Sequence, residues 1–116
     1  MRYTDFAGAI IGGETNVVEV PFSPSNFPAL TLKTLEVGER LLEIVVKITE
    51  EFDAGVSMSL GFPADNEEIA PASKLKLQRL GVYKFFPYRK TTATETFRAY
   101  FSGASATGAG IIYFYQ

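Results

Sequence analysis

The stretch Leu41-Leu-Glu-Ile-Val-Val-Lys-Ile-Thr-Glu-Glu-Phe-Asp-Ala-Gly-Val-Ser-Met-Ser-Leu-Gly-Phe62 decides the fold class. Its first half carries two periods at once. Leu41, Val45 and Ile48 could line a helix, whereas Leu42, Ile44, Val46 and Ile48 recur at period two with Glu43, Lys47 and Thr49 between them. Only Val45 breaks that alternation, and the crowding of branched residues favours a pleated strand. The second half is plainer. Val56, Met58, Leu60 and Phe62 alternate with Ser57, Ser59 and Gly61, as in a half-buried strand whose outer face is small. Asp53-Ala54-Gly55 reads as the turn between them, which predicts a hairpin.

The same period extends outward. Asn16–Phe22 reads as a first strand that ends at Pro21, and Leu30–Leu35 as a short second one after a Ser/Pro/Asn loop. Beyond Phe62 the composition predicts a loop through Pro71-Ala72, then strands at Lys74–Gln78, Val82–Pro87 and Thr94–Ser102. In the last of these Phe97, Ala99 and Phe101 share a face. Gly103–Gly110 is a turn of small residues before a final strand, Ile111–Tyr115. About eight short strands with turns every 8–12 residues predict an all-β, antiparallel β-sandwich of jelly-roll-like type. The domain occupies residues 16–116, and residues 1–15 read as an N-terminal arm, either one that orders against a partner or a frayed terminus.

Composition narrows the function. A chain of 116 residues is one domain, and it buries roughly two-thirds of its unfolded surface. With 47% hydrophobic and 21% charged residues it is an ordered globular protein. The net charge of -2 argues against nucleic acid as a partner. No apolar run approaches the roughly 20 residues of a membrane span. The start of the chain, with Asp5 soon after Arg2 and a short apolar run Phe6–Ile11, does not read as a signal peptide, so retention without secretion is expected. Neither His nor Cys occurs, which removes Ser-His-Asp and Cys-His nucleophiles, thiolate metal sites and the commonest general base.

The remaining chemistry is thin. Gly103 and Gly108 have the spacing of a phosphate-cradling loop, but Ala109 and Gly110 stand where it needs Lys and Ser or Thr. Glu50, Glu51 and Asp53, and then Asp65, Glu67 and Glu68, could supply a carboxylate pair only if they faced one another about 5–10 Å apart. Their oxygen ligands also suit Ca²⁺, although Asp65–Glu68 lacks the ligand alternation and Gly of an EF-hand loop. Solvated loop charge is the expectation, with no enzyme activity, no metal and no cofactor.

Aromatic residues point to surfaces instead. In the last strand Ile112 and Phe114 fill one face while Ile111, Tyr113 and Tyr115 fill the other, so both faces need cover. Ile111, Tyr113 and Tyr115, with Phe6 and Ile10 from the arm, are the candidate interface. Tyr83, Tyr88 and Tyr100 are the candidates for stacking on a sugar ring in an alternative carbohydrate- or receptor-binding module.

Leu41–Gly55, Val56–Gly61, Leu77–Tyr83 and Tyr100–Tyr115 occur in an order that resembles the small β-domains of tailed-phage virions, found as capsid decoration proteins and tail-fibre modules. The resemblance covers the last two-thirds of the chain and includes no catalytic motif. It implies a non-enzymatic virion component, assembled in the host cytoplasm, that contacts a capsid or other virion protein and copies of itself as a homo-oligomer such as a trimer. It also implies no nucleic-acid or membrane partner.

Overall fold

The computed structural model describes residues 17–115. Ten strands lie among them: β1 (Val17–Phe22), β2 (Ala29–Leu35), β3 (Arg40–Leu41), β4 (Glu43–Glu50), β5 (Ser57–Phe62), β6 (Asp65–Ala70), β7 (Gly81–Phe85), β8 (Arg89–Lys90), β9 (Glu95–Ser102) and β10 (Ala109–Tyr115). Sheet one has the order β1-β10-β4-β7 and sheet two the order β2-β9-β5-β6, every pairing being antiparallel. Strands β3 and β8 form a separate two-residue ribbon. Except for the β5–β6 connection, successive strands of the main sheets lie in opposite sheets. That is the jelly-roll-like sandwich predicted from the turn spacing, with two very short strands and one unforeseen edge strand added.

Alternation sorts the residues. Ile44, Val46 and Ile48 of β4 and Ile112 and Phe114 of β10 point inward from sheet one. They meet Met58, Leu60 and Phe62 of β5 and Phe97, Ala99 and Phe101 of β9. Phenylalanines fill both ends of this core. At one end Phe27 stacks on Phe101 with centroids 4.5 Å apart, and Phe22 lies 5.8 Å from both Phe52 and Phe101. At the other, Phe97 packs 5.8 Å from Phe62 within its own sheet and meets Phe114 of sheet one edge-on at 5.5 Å. Rings arranged in this way contribute beyond the area they bury.

Four sequence expectations change. Asp53-Ala54-Gly55 is not a hairpin turn. β4 gives its two edges to β10 and β7, and β5 gives its edges to β9 and β6, so the chain arches from one sheet to the other. The long strand is interrupted at Leu42, whose N–H donates to the Tyr115 carbonyl (2.9 Å), and the fully buried residue is Leu41. The loop expected after Phe62 contains β6, an edge strand with exposed Asp65, Asn66, Glu67 and Glu68. Charge on an edge strand discourages pairing with another chain, and it also hides the strand from a hydrophobic reading. Lys74–Gln78 has no ladder partner. Its alternation survives as burial of Leu75 and Leu77, while the Leu77 carbonyl accepts from Phe52 N–H (3.0 Å).

The β4–β5 arch is tied to the β9–β10 loop by Asp53. Ala106 N–H donates to Asp53 Oδ2 (2.8 Å), Thr107 Oγ1 donates to Oδ1 (3.1 Å), and Asp53 N–H donates to Ser105 Oγ (2.9 Å). Gln78 Nε2 completes the tie by donating to the carbonyls of Asp53 and Val56. Gly108 is required beside this knot. Its φ is +127°, and a Cβ there would lie 2.3 Å from the Phe52 ring.

Replacing Phe97 with Ala should cost about 3–5 kcal/mol, because the ring is fully buried between two other phenylalanines. Urea unfolding with an unchanged m-value checks this. The Asp53 carboxyl titrates below its ordinary range because of the Ala106 backbone bond first and the Thr107 hydroxyl second. A carboxylate held low contributes stability above its unfolded pKa of about 4, and loses it as pH falls through the folded value. Asp53→Asn should therefore lower Tm at pH 7, and the gap from the wild type should close in scans below about pH 4.

Candidate functional surfaces

Fixing the inward rows fixes the outward ones. On sheet one the register places Val17, Tyr115 and Glu43 in one row. Glu19, Tyr113, Val45 and Lys84 make the next row, and Pro21, Ile111, Lys47 and Val82 the third. The centre of this face is apolar and half-buried at Val45, Ile111 and Tyr113. Val17 and Val82 are 42% and 54% exposed on the two edge strands, Glu19 and Lys84 end the middle row, and Lys47 of β4 stands between Ile111 and Val82. Three of the five predicted interface residues, Ile111, Tyr113 and Tyr115, thus share one face. Phe6 and Ile10 lie outside the described residues.

The three candidate stacking tyrosines do not form one platform. Tyr83 pairs in register with Val46, lies on the inner side of β7 and packs against the core, with its hydroxyl donating to the Lys76 carbonyl (3.3 Å). Tyr88 lies between β7 and β8 and is 71% exposed. Its φ is +46°, and its ring stacks on the exposed Phe86 at 6.3 Å. Tyr100 is on the outer face of sheet two, in register with Ala29 and Ser59.

That outer face contains a concavity, a groove of about 630 Å³ lined by Ser57, Ser59, Ser102, Tyr100, Asp65, Asn66 and Glu67 among others. Its far wall is the start of β6, which crosses close above Gly61. A Cβ on Gly61 would lie 2.3 Å from the Asp65 carbonyl, so this approach needs glycine. Arg89 holds the same strand down. Its Nε donates to Glu68 of β6 (2.6 Å), and its two terminal nitrogens grip Glu95 of β9, one of them at 3.0 Å. The guanidinium also lies 4.2 Å above the Phe62 ring. The hydrogen bond to Glu95 is the main reason its pKa is raised further.

The two acidic groups do not face each other. Asp53 precedes β5 and Asp65 pairs with Phe62 at its far end, so a strand of six residues, roughly 20 Å, lies between them. No cluster of three metal-ligating side chains occurs among the described residues. Sequence reasoning missed Val45, Pro21 and Val82 on the sheet-one face. Val45 was visible as the apolar residue that breaks the β4 alternation. It also missed the groove, because nothing local places Asn66 beside Ser102.

Two chains from phage capsids share this fold. One belongs to the acid-stable capsid of Helicobacter pylori bacteriophage KHP30, with a TM-score of 0.71 and 12% identity over 90% of this chain and 88% of that one. The other comes from the capsid asymmetric unit of cyanophage Pam1, with a TM-score of 0.66 and 14% identity over 93% and 88%. No protein-family model and no curated protein matches the sequence.

Arg89→Ala should destabilise the fold by about 2 kcal/mol, since it leaves a half-buried Glu95 without its partner and frees β6. The loss should be visible in amide exchange across Asp65–Ala70 before the rest of sheet two.

Proposed function

We propose that this chain is a non-enzymatic structural component of a phage virion, a decoration protein that stabilises a capsid through protein–protein contacts. The observation that carries the reading is the fold shared with two capsid chains over about nine-tenths of this one. The match spans nearly the whole of each neighbour, so it concerns a complete domain and not a common motif.

The sheet-one face gives the reading a physical basis. Tyr113 and Ile111, flanked by Val45 and Pro21, form an apolar centre bordered by Glu19, Lys47 and Lys84, the anatomy of a contact surface. Tyr88 and Phe86 offer a second, smaller apolar contact on a separate loop. In the proposed assembly, copies associate with one another through the face of Ile111, Tyr113 and Tyr115, a trimer being the first state to test, and together bind a shell protein. Modest contacts repeated by symmetry resist disruption of a shell without any single tight site. The protein acts in the virion, after assembly in the host cytoplasm, with no cofactor and with neither nucleic acid nor a membrane as partner.

The test mixes the purified chain with shells assembled from the major capsid protein of the same virus. The chain should sediment with the shells and raise the temperature at which they rupture. Tyr113→Glu should keep the monomer fold by circular dichroism and weaken shell binding or self-association by about tenfold or more. A chain that stays monomeric in light scattering and never sediments with the shells sinks the reading.

A further inference from the structure

We infer that the groove on the outer face of sheet two is a binding site for a neutral, polyhydroxylated ligand, a sugar unit of an oligosaccharide. This site is on the opposite face of the sandwich from Tyr113 and does not depend on the virion role.

The groove lies in the size range of small-molecule sites, roughly 300–1,000 Å³. Its floor is a two-by-two grid, in which Ser57 faces Ser102 and Ser59 faces Tyr100 across the β5–β9 ladder. The three serines bring hydroxyls and Tyr100 brings its aromatic ring to the same concavity, and none of the three serine hydroxyls is spent on a neighbour among the described residues. The Tyr100 hydroxyl, and Nε of Arg98 two residues along the same face, are enclosed without any hydrogen-bond partner. An enclosed polar group without a partner is costly and rare.

The facing wall adds acceptors and an amide. Asp65 Oδ1 accepts from Glu67 N–H (3.0 Å) and Glu67 Oε2 from Ala72 N–H (3.2 Å). Those bonds orient the two carboxylates and leave each a second oxygen. Asn66 stands between them in sequence and also lines the groove. Donor-acceptor hydroxyls, oriented carboxylates, an amide and an aromatic ring are the groups that recognise a ring bearing several hydroxyls.

Other ligand classes fit less well. The carboxylates of Asp65 and Glu67 repel a phosphate or an acidic sugar. An extended peptide would need a sheet edge for its backbone, and the edge beside the groove, β6, carries exposed Asp65, Glu67 and Glu68, charge that discourages such pairing.

Saturation-transfer difference NMR on the full chain tests the site, with maltotetraose, cellotetraose and N-acetylchitotetraose as neutral probes and sialyllactose as the acidic one. At millimolar sugar at least one neutral probe should receive saturation. The effect should fall about fivefold or more in Tyr100→Ala and in Ser57→Phe, which fills the groove. Asp65→Ala, on an exposed strand, serves as the variant least able to disturb folding. Tyr113→Glu, on the other face, should leave the signal unchanged. Silence from every neutral probe overturns the inference. So does a signal that survives the groove variants in folded protein, or stronger binding of sialyllactose.

Discussion

Phe97 of one sheet meets Phe114 of the other edge-on inside the sandwich, and the rest of the molecule follows from that contact. In a pleated strand, choosing the residue that faces inward chooses every other residue that faces outward. With Phe97, Ala99 and Phe101 committed to the core, Arg98, Tyr100 and Ser102 must line the outside of sheet two. With Ile112 and Phe114 committed, Ile111, Tyr113 and Tyr115 must line the outside of sheet one. The two surfaces available for function are therefore products of the packing that stabilises the fold.

The parts of this architecture that depend on period two were readable from the chain. Val56–Phe62 and Thr94–Ser102 alternate cleanly because one face of each strand meets the opposite sheet and the other carries small or polar residues away from it. The all-β class and the inward rows of the core follow from that. Sheet neighbours are a different matter. The turn Asp53-Ala54-Gly55 is equally compatible with a hairpin and with an arch, since the choice depends on β10 competing for the edge of β4 from sixty residues away. β6 escaped for the opposite reason. Its Asp, Asn and Glu residues carry no hydrophobic signal, and its pairing to β5 is held by Arg89 from elsewhere in the chain.

The candidate surfaces were legible to the same extent. The candidate interface residues of β10 could be named because a central strand with two apolar faces is unusual. Their partners Val45, Pro21 and Val82 come from three other strands and needed the register. The groove needed more still. Its tyrosine was among three singled out for aromatic character, yet Tyr83 belongs to the core rim and Tyr88 to an exposed loop. What separates Tyr100 from them is the crossing of β6 over Gly61, a three-dimensional fact with no local signature.

The pairing of β1 with β10 carries an implication of its own. Val17 and Tyr115, the first and last described residues, are register partners on adjacent strands, so the chain enters and leaves the sandwich about 5 Å apart. A body whose two ends emerge together can be spliced into a single loop of a host polypeptide without stretching either flank.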